Sequence, residues 1–312
     1  MSRILTLLAL FSAMALATGP FYAGEAMGQA MGEAAAGVAA GADAPAKAAA
    51  VPAPQGGAPD KPQGPPDRRQ HAEFVNTLGM RFVQVPAGSF LMGASDLDTE
   101  FYEHEKPQHR VDISKPFRVG VLEVSQWQWQ QVMGNNPSRF KDPLLPVESV
   151  SYDSVMSFIA KLNEREGTHA YRLPTEAEWE YFARAGTMSP YFFGDSDARL
   201  GDYAWYRANS ERTTHPGGLL RANPWGLHDV YGNVAEMLSD WFGLDYYTAS
   251  PQRDPKGPSE GKERSLRGGS WTNTEFGNRS SYRDRYEPDY LESVVGLRLV
   301  MDLPSGDDQA KR

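Results

Sequence analysis

Cysteine is absent from all 312 residues of the chain. That single absence removes disulfides, thiolate metal ligands, nucleophilic thiols and any lipid-attachment cysteine, so stability has to come from packing or bound ions. Positive charge is also scarce: 31 Lys and Arg face 40 Asp and Glu, for a net charge of -9 and a pI near 5.2. Such a balance offers no basic face to a phosphate backbone and excludes nucleic acid as a partner. From Gly24 to Glu73 there is no Leu, Ile, Phe, Tyr or Trp. Nothing in that stretch repays the entropy of ordering it, so 24–73 reads as a disordered Ala/Gly/Pro-rich spacer. Its Ala-rich part is expected to be transiently helical, and Pro52 to Pro66 extended and semi-rigid.

What is present begins with Met1, the single basic residue Arg3, and an apolar run from Ile4 to Ala17 broken only by Thr6 and Ser12. The run is short for a bilayer span, which needs about 20 apolar residues. Small residues follow at Ala15, Ala17 and Ala23, so residues 1–23 read as a secretory signal peptide. The alternative is an uncleaved anchor, which would be the chain's one contact with a membrane. Either way the expected location is periplasmic or extracellular.

All seven Trp lie after residue 74, which confines the core-forming material to one domain over 74–303, followed by a flexible tail at 304–312. Within the domain, Phe82 to Val85 and Phe90 to Gly93 read as short strands joined by the turn Pro86-Ala87-Gly88, and Val111 to Ile113 and Phe117 to Val121 as two more. Three helices follow. Ser125 caps the first, which carries Trp129, Val132 and Met133 and ends at Gly134. Val155, Phe158, Ile159 and Leu162 form one apolar stripe of the second. Thr175-Glu176-Ala177-Glu178 opens the third as a capping box, with Trp179 and Phe182 facing inward and Gly186 at its end. Periodicity then disappears, but Trp205, Trp225 and Trp241 argue for ordered loop rather than disorder. Ser265 to Trp271 and Val295 to Val300 read as closing strands.

In order along the domain stand Val85-Pro86-Ala87-Gly88-Ser89-Phe90-Leu91-Met92-Gly93, Glu105-Lys106-Pro107-Gln108-His109-Arg110-Val111, Glu123-Val124-Ser125, Arg172-Leu173-Pro174-Thr175-Glu176-Ala177-Glu178-Trp179-Glu180, Asn223-Pro224-Trp225-Gly226-Leu227, Gly232-Asn233-Val234, Arg267-Gly268-Gly269-Ser270-Trp271 and Gly296-Leu297-Arg298. Together they resemble the formylglycine-generating enzyme, or sulfatase-modifying factor, family. The resemblance implies an α+β, loop-rich C-type-lectin-like fold with short strands and about three helices. It does not carry the reaction. The family enzyme oxidises a substrate cysteine with copper held by two of its own cysteines just after the Gly-Gly-Ser motif, because thiolates are the soft ligands that hold Cu(I). Here Thr272-Asn273-Thr274-Glu275-Phe276-Gly277-Asn278 follows Trp271, so no copper is expected there and cysteine-based formylglycine generation is excluded. Ala235, Met237 and Leu297 also replace aromatic residues usual in the family.

Asp229-Val230-Tyr231-Gly232-Asn233-Val234-Ala235-Glu236 places two carboxylates around a Gly-containing turn, a source of the hard oxygens that calcium prefers. In the family the matching positions bind structural Ca2+ through the side chains of Asp229 and Glu236 and the carbonyls of Gly232 and Val234. The alternative is that Asp229 caps a turn and Glu236 pairs with an arginine. A second family calcium site is shortened around residues 209–218 and is not carried over. His104, Glu105 and His109 imitate a zinc-protease motif, but the spacing is wrong and Pro107 interrupts any helix that would bring both rings to one face.

Between Trp271 and Val294 the chain gathers Asn273, Asn278, Arg279, Tyr282, Arg283, Tyr286 and Tyr290. This is the composition of a recognition surface. The alternative assigns Arg279, Arg283 and Arg298 to structural ion pairs with Asp284 and Glu287. Three functions stay open. One is a calcium-stabilised binding module for a protein, peptide or glycan, including the variable protein of a diversity-generating retroelement. Another is a cysteine-independent periplasmic oxidoreductase or peptide-modifying enzyme of the siderophore-maturation type, with Glu236, Asp284 and Glu275 as carboxylates to test. The third is a scaffold in an envelope complex.

Overall fold

The computed structural model describes residues 73–304 apart from residue 97. The expected signal peptide, the spacer up to residue 72 and the tail beyond residue 304 lie outside the described residues. In chain order the domain runs through strands β1 (Glu73–Val75), β2 (Arg81–Val85), β3 (Gly88–Met92), β4 (His109–Ile113) and β5 (Phe117–Gly120), and then helices α1 (Gln126–Met133) and α2 (Tyr152–Glu166). After β6 (Tyr171–Arg172) and α3 (Glu176–Arg184) come β7 (Ala235–Trp241), β8 (Arg264–Arg267), β9 (Asp284–Tyr286), β10 (Val295–Gly296) and β11 (Val300–Asp302).

The helices form where their caps stand. The Ser125 hydroxyl accepts from the Gln128 N–H while the Gln128 side chain returns to the Ser125 N–H, and Gly134 closes α1 in the left-handed conformation. Thr175 and Glu178 repeat the reciprocal cap on α3. Val155, Phe158, Ile159 and Leu162 are the buried residues of α2, and Phe158 lies flat against Trp129 of α1 with ring centroids 5.0 Å apart.

The five-stranded sheet has the order β1-β2-β5-β11-β6, a second sheet the order β10-β7-β8-β9, and β3 pairs with β4 alone. The two strands flanking Pro86-Ala87-Gly88 therefore do not pair with each other: β2 joins β5, and β3 joins β4. The first and last strands of the domain share one sheet, because β11 lies between β5 and β6 while β1 edges β2. One apolar core fills the space between this sheet and α1 and α2, extending under β7 and β8. The other gathers α3, the β3–β4 pair and the long loop region, where Tyr191, Phe192, Phe193, Tyr203 and Tyr231 pack ring on ring. Asn223 pins this loop to α3: its amide donates to the Phe182 carbonyl, and its side-chain oxygen accepts from the N–H groups of Trp225 and Leu227.

Candidate functional site

The turn before β7 is built from left-handed residues: Asp229, Gly232 and Asn233 all have positive φ. At Gly232 a Cβ would stand 2.2 Å from the Trp205 carbonyl oxygen, so only glycine lets the two backbones approach this closely. The turn delivers Asp229 and Glu236 to a buried cluster. Glu236 accepts from Trp179 Nε1 at 2.7 Å and from Arg298 Nε at 2.8 Å. Arg298 spends its remaining donors on the carbonyls of Gly120 and His228. Asp229, only 2% exposed, accepts from the Gly218 N–H through Oδ2 at 2.7 Å, while its buried Oδ1 has no partner.

A third carboxylate belongs to the cluster and was not singled out as a site residue from the sequence. Glu123, just before the α1 cap, accepts from Asn233 Nδ2 at 2.6 Å and from the Val234 N–H at 3.1 Å. Burial pushes its carboxyl well above the usual range, and the charges of Asp229 and Glu236 push it further. Burial also raises Asp229 and Glu236, with Arg298 opposing the shift at both. Three buried carboxylates thus share one guanidinium, and the cluster is short of positive charge. Its only sequence signal is the Glu123-Val124-Ser125 motif, one of those that carry the family resemblance. A cleft of about 270 Å3 lies against it, lined among others by Leu122, Glu123, Gln128, Gly218 and His228.

The residues fit a calcium ion in their chemistry. Asp229 Oδ1 is an orphaned buried acceptor, and each Glu236 oxygen keeps a lone pair beyond the donor it already accepts. Among the described residues no three His, Asp or Glu side chains form a metal cage by themselves. The expected set asks for two carboxylates and two carbonyls. The pairing of Glu236 with Arg298 is also the feature that the alternative reading named. His104 and His109 are used separately, the first against the Arg283 carbonyl and the second against that of Pro107.

The C-terminal segment differs from the recognition surface expected of it. Arg279 reaches inward and grips Glu105 with both terminal nitrogens, at 2.9 and 2.8 Å, where the Ser281 hydroxyl also donates. Arg283 holds Glu176 at 2.6 and 3.1 Å and donates to the His104 carbonyl at 2.5 Å. Arg267, fully buried beneath them, bonds Glu180 and the carbonyls of Ser280 and Tyr282. The arginines are structural, but their partners are Glu105, Glu176 and Glu236 rather than Asp284 and Glu287. Asn278 is fully buried, with its amide on the Thr274 carbonyl, and Tyr286 is buried in the core that packs against α1 and α2. Arg279, Arg283, Asn278 and Tyr286 are therefore buried in the domain rather than presented on its surface.

Asn273 is half-buried and accepts from both the N–H and the hydroxyl of Ser270. Tyr282 is half-buried, and Tyr290 is 56% exposed. Of the carboxylates considered for catalysis, Glu236 is committed to Trp179 and Arg298. Asp284 is raised by burial, and Glu275 is half-buried.

Sequence reasoning missed the aromatic residues that the buried arginines bring together. Tyr102 stacks on His104 with centroids 5.3 Å apart, meets Phe276 edge to face at 5.1 Å, and lies 6.1 Å from Tyr282. His104 meets Phe242 in turn. Tyr102 and His104 sit far from the 272–293 segment in sequence, which hid the relationship.

A family described as the sulfatase-modifying factor enzyme 1-like domain matches residues 70–303, and the chain belongs to that family. The chaperone protein LppX of Paenibacillus barcinonensis is 30% identical over 233 residues, covering 59% of this chain and 79% of that protein. The formylglycine-generating enzyme of Streptomyces coelicolor is 33% identical over 207 residues, or 59% of this chain and 62% of the enzyme. The chain spans only 25% of the serine/threonine-protein kinase pkn1 of Chlamydia caviae, with 35% identity over 167 residues. Among solved structures, the Treponema denticola variable protein 1 superposes with a TM-score of 0.67 at 29% identity, covering 75% of this chain and 99% of that one. PvdO from Pseudomonas aeruginosa gives 0.68 at 27% identity, covering 74% and 98%. The α+β, C-type-lectin-like fold is thereby established, in a member without the copper-binding cysteines.

Proposed function

We propose that this chain is an exported binding module whose fold is stabilised by calcium and whose ligand, a protein, peptide or glycan, is met by the surface that residues 272–293 help to form. The observation that carries the reading is the division of labour in that segment. Arg279 and Arg283 are buried and fix the path of the chain, while Tyr282 is half-buried and Tyr290 is exposed. A rigid segment presenting aromatics loses little entropy on binding. The likeness to a variable protein supports the same reading. The hydrophobic N-terminal run and the spacer support export and a domain held away from its attachment.

Calcium would be held by Asp229 and Glu236 with the carbonyls of Gly232 and Val234, and Glu123 stands beside them. The ion would supply the positive charge that these carboxylates lack. The test is to probe arrays of glycans and of peptides with the full chain in calcium and in chelator. A ligand captured in calcium and weakened by chelation is the expected result. A blank on both arrays would overturn the binding reading, and a melting temperature that ignores calcium would overturn the calcium one.

A further inference from the structure

The aromatic cluster is assembled from two distant stretches of chain. The Ala94 N–H donates to the Glu105 carbonyl and the Ser95 N–H to Asp98, which ties residues 98–106 back to Ala94 as one loop. Arg279 and Ser281 hold the Glu105 side chain of that loop, and Arg283 holds the His104 carbonyl. The loop is thus fastened to the 276–283 segment from beneath, and Tyr102, 49% exposed, is set over Phe276 and Tyr282. The buried arginines act as positioning residues, and the rings form the surface.

Cations already occupy the ring faces around this cluster. Lys106 Nζ sits 4.2 Å from the centre of Phe101, Arg279 lies 4.1 Å over Phe276, and Arg283 and Arg285 lie 4.8 and 5.0 Å over Phe242. The exposed ring of Tyr102 has no such cation within the described residues. The charges nearby are of the complementary sign. Glu100 and Glu103 flank Tyr102 in sequence, are exposed, and form no ion pair among the described residues. The two cations at the edge are already held: Lys106 by Asp96 at 3.0 Å, and Arg285 by Glu263 at 3.0 Å. Burial holds the His104 imidazole below its usual range, so it adds no positive charge to the surface at neutral pH.

We propose that the Tyr102, Phe276 and Tyr282 platform, with Glu100 and Glu103 at its rim, docks a basic extended segment of a protein partner, with an arginine or lysine laid on the Tyr102 ring and paired by the rim carboxylates. The inference rests on the binding-module reading and names the partner's chemistry. Face-on cation–π contact and charge complementarity each favour a cationic side chain at such a site, and here both act on the same patch.

The experiment measures binding of a short labelled peptide of alternating arginine and serine to the full chain, beside the same peptide with citrulline in place of arginine. Tyr102→Leu is expected to weaken the arginine peptide by roughly three- to tenfold, and Tyr102→Phe, which keeps the ring, to leave it unchanged. The double variant E100Q/E103Q should weaken it and flatten its salt dependence. Melting temperatures check that each variant is folded. Equal binding of the citrulline peptide would overturn the proposal, as would arginine-peptide binding that ignores Tyr102→Leu. If the arrays instead yield a different ligand whose capture is insensitive to Tyr102→Leu, this proposal falls and the binding-module reading stands. If neither the peptide nor any array ligand binds, both fall.

Discussion

Arg279 and Glu105, 174 residues apart, form a buried two-pronged ion pair with both nitrogen–oxygen distances under 3 Å. The pair fastens the loop that carries Tyr102 to the C-terminal segment. Its geometry and the added Ser281 hydroxyl offset the cost of taking two charges out of water.

Breaking that pair from one side should be far worse than removing it whole. Arg279→Met leaves Glu105 charged and uncompensated, at an expected cost of about 3–5 kcal/mol. Adding Glu105→Met to that variant should recover much of the loss, so that the double-mutant cycle shows strong coupling. Urea melts of the four proteins measure it. Single variants within about 1 kcal/mol of the parent would show that the pair is not a fastening.

Two glycines with almost the same φ should respond differently to alanine. Gly134 ends α1 at φ 79° with nothing within 4 Å of where an alanine Cβ would stand, whereas Gly232 at φ 76° would drive a Cβ onto the Trp205 backbone. Gly134→Ala carries only the left-handed penalty of about 1–2 kcal/mol. Gly232→Ala must also move backbone, and should cost clearly more and disturb the Asp229–Glu236 turn. Thermal melts give the ranking, and equal losses would contradict it.

Asp240 gives a pH dependence of definite sign. Burial, followed by the charge of Glu176, pushes its carboxyl up to about 7. The folded state therefore keeps a proton that the unfolded chain has released. The contribution to stability is fully present below the unfolded value near 4 and is lost as pH rises through about 7. Asp240→Asn can still accept from the Glu176 N–H, so it should gain stability relative to the parent as pH rises from 5 to 8 (roughly the window set by the two values). The difference between two urea-melt series against pH isolates this residue from Glu123 and Asp229. A flat difference would show that Asp240 is ionised throughout.

The parts of this fold that were legible were local. The Ser125 and Thr175 caps and the Val155–Leu162 stripe each lie within one or a few turns of helix, so spacing alone carried them. Strand β7 was not legible, because Ala235-Glu236-Met237-Leu238 is buried on both faces and does not alternate. The pairing of β2 with β5 instead of β3 joins strands that β3 and β4 separate in the chain, which local spacing does not show. The site divides in the same way. The turn from Asp229 to Glu236 is one contiguous motif and could be read, whereas Glu123 joins it from more than a hundred residues away. The inward course of Arg279 and Arg283 was hidden for the same reason. Composition singles out the 272–293 segment, but only the fold decides which of its side chains face solvent.

Calcium offers the sharpest check on the carboxylate cluster. An ion that binds the folded chain alone stabilises it by about 2.7 kcal/mol when present at a hundred times its dissociation constant. The melting temperature of the full chain should therefore rise with added calcium and fall back with chelator. Asp229→Asn removes a charge from the acceptor that has no partner within the protein, and should abolish most of that rise while leaving the calcium-free melt close to the parent or higher. Because burial holds Glu123, Asp229 and Glu236 above the usual carboxylate range, protons compete with the ion. Apparent affinity should then weaken as pH falls, and isothermal titration at two pH values should register the protons released on binding. A calcium-indifferent melt, with Asp229→Asn no different from the parent, would instead assign the cluster to Arg298 alone, with protonation making good the missing positive charge.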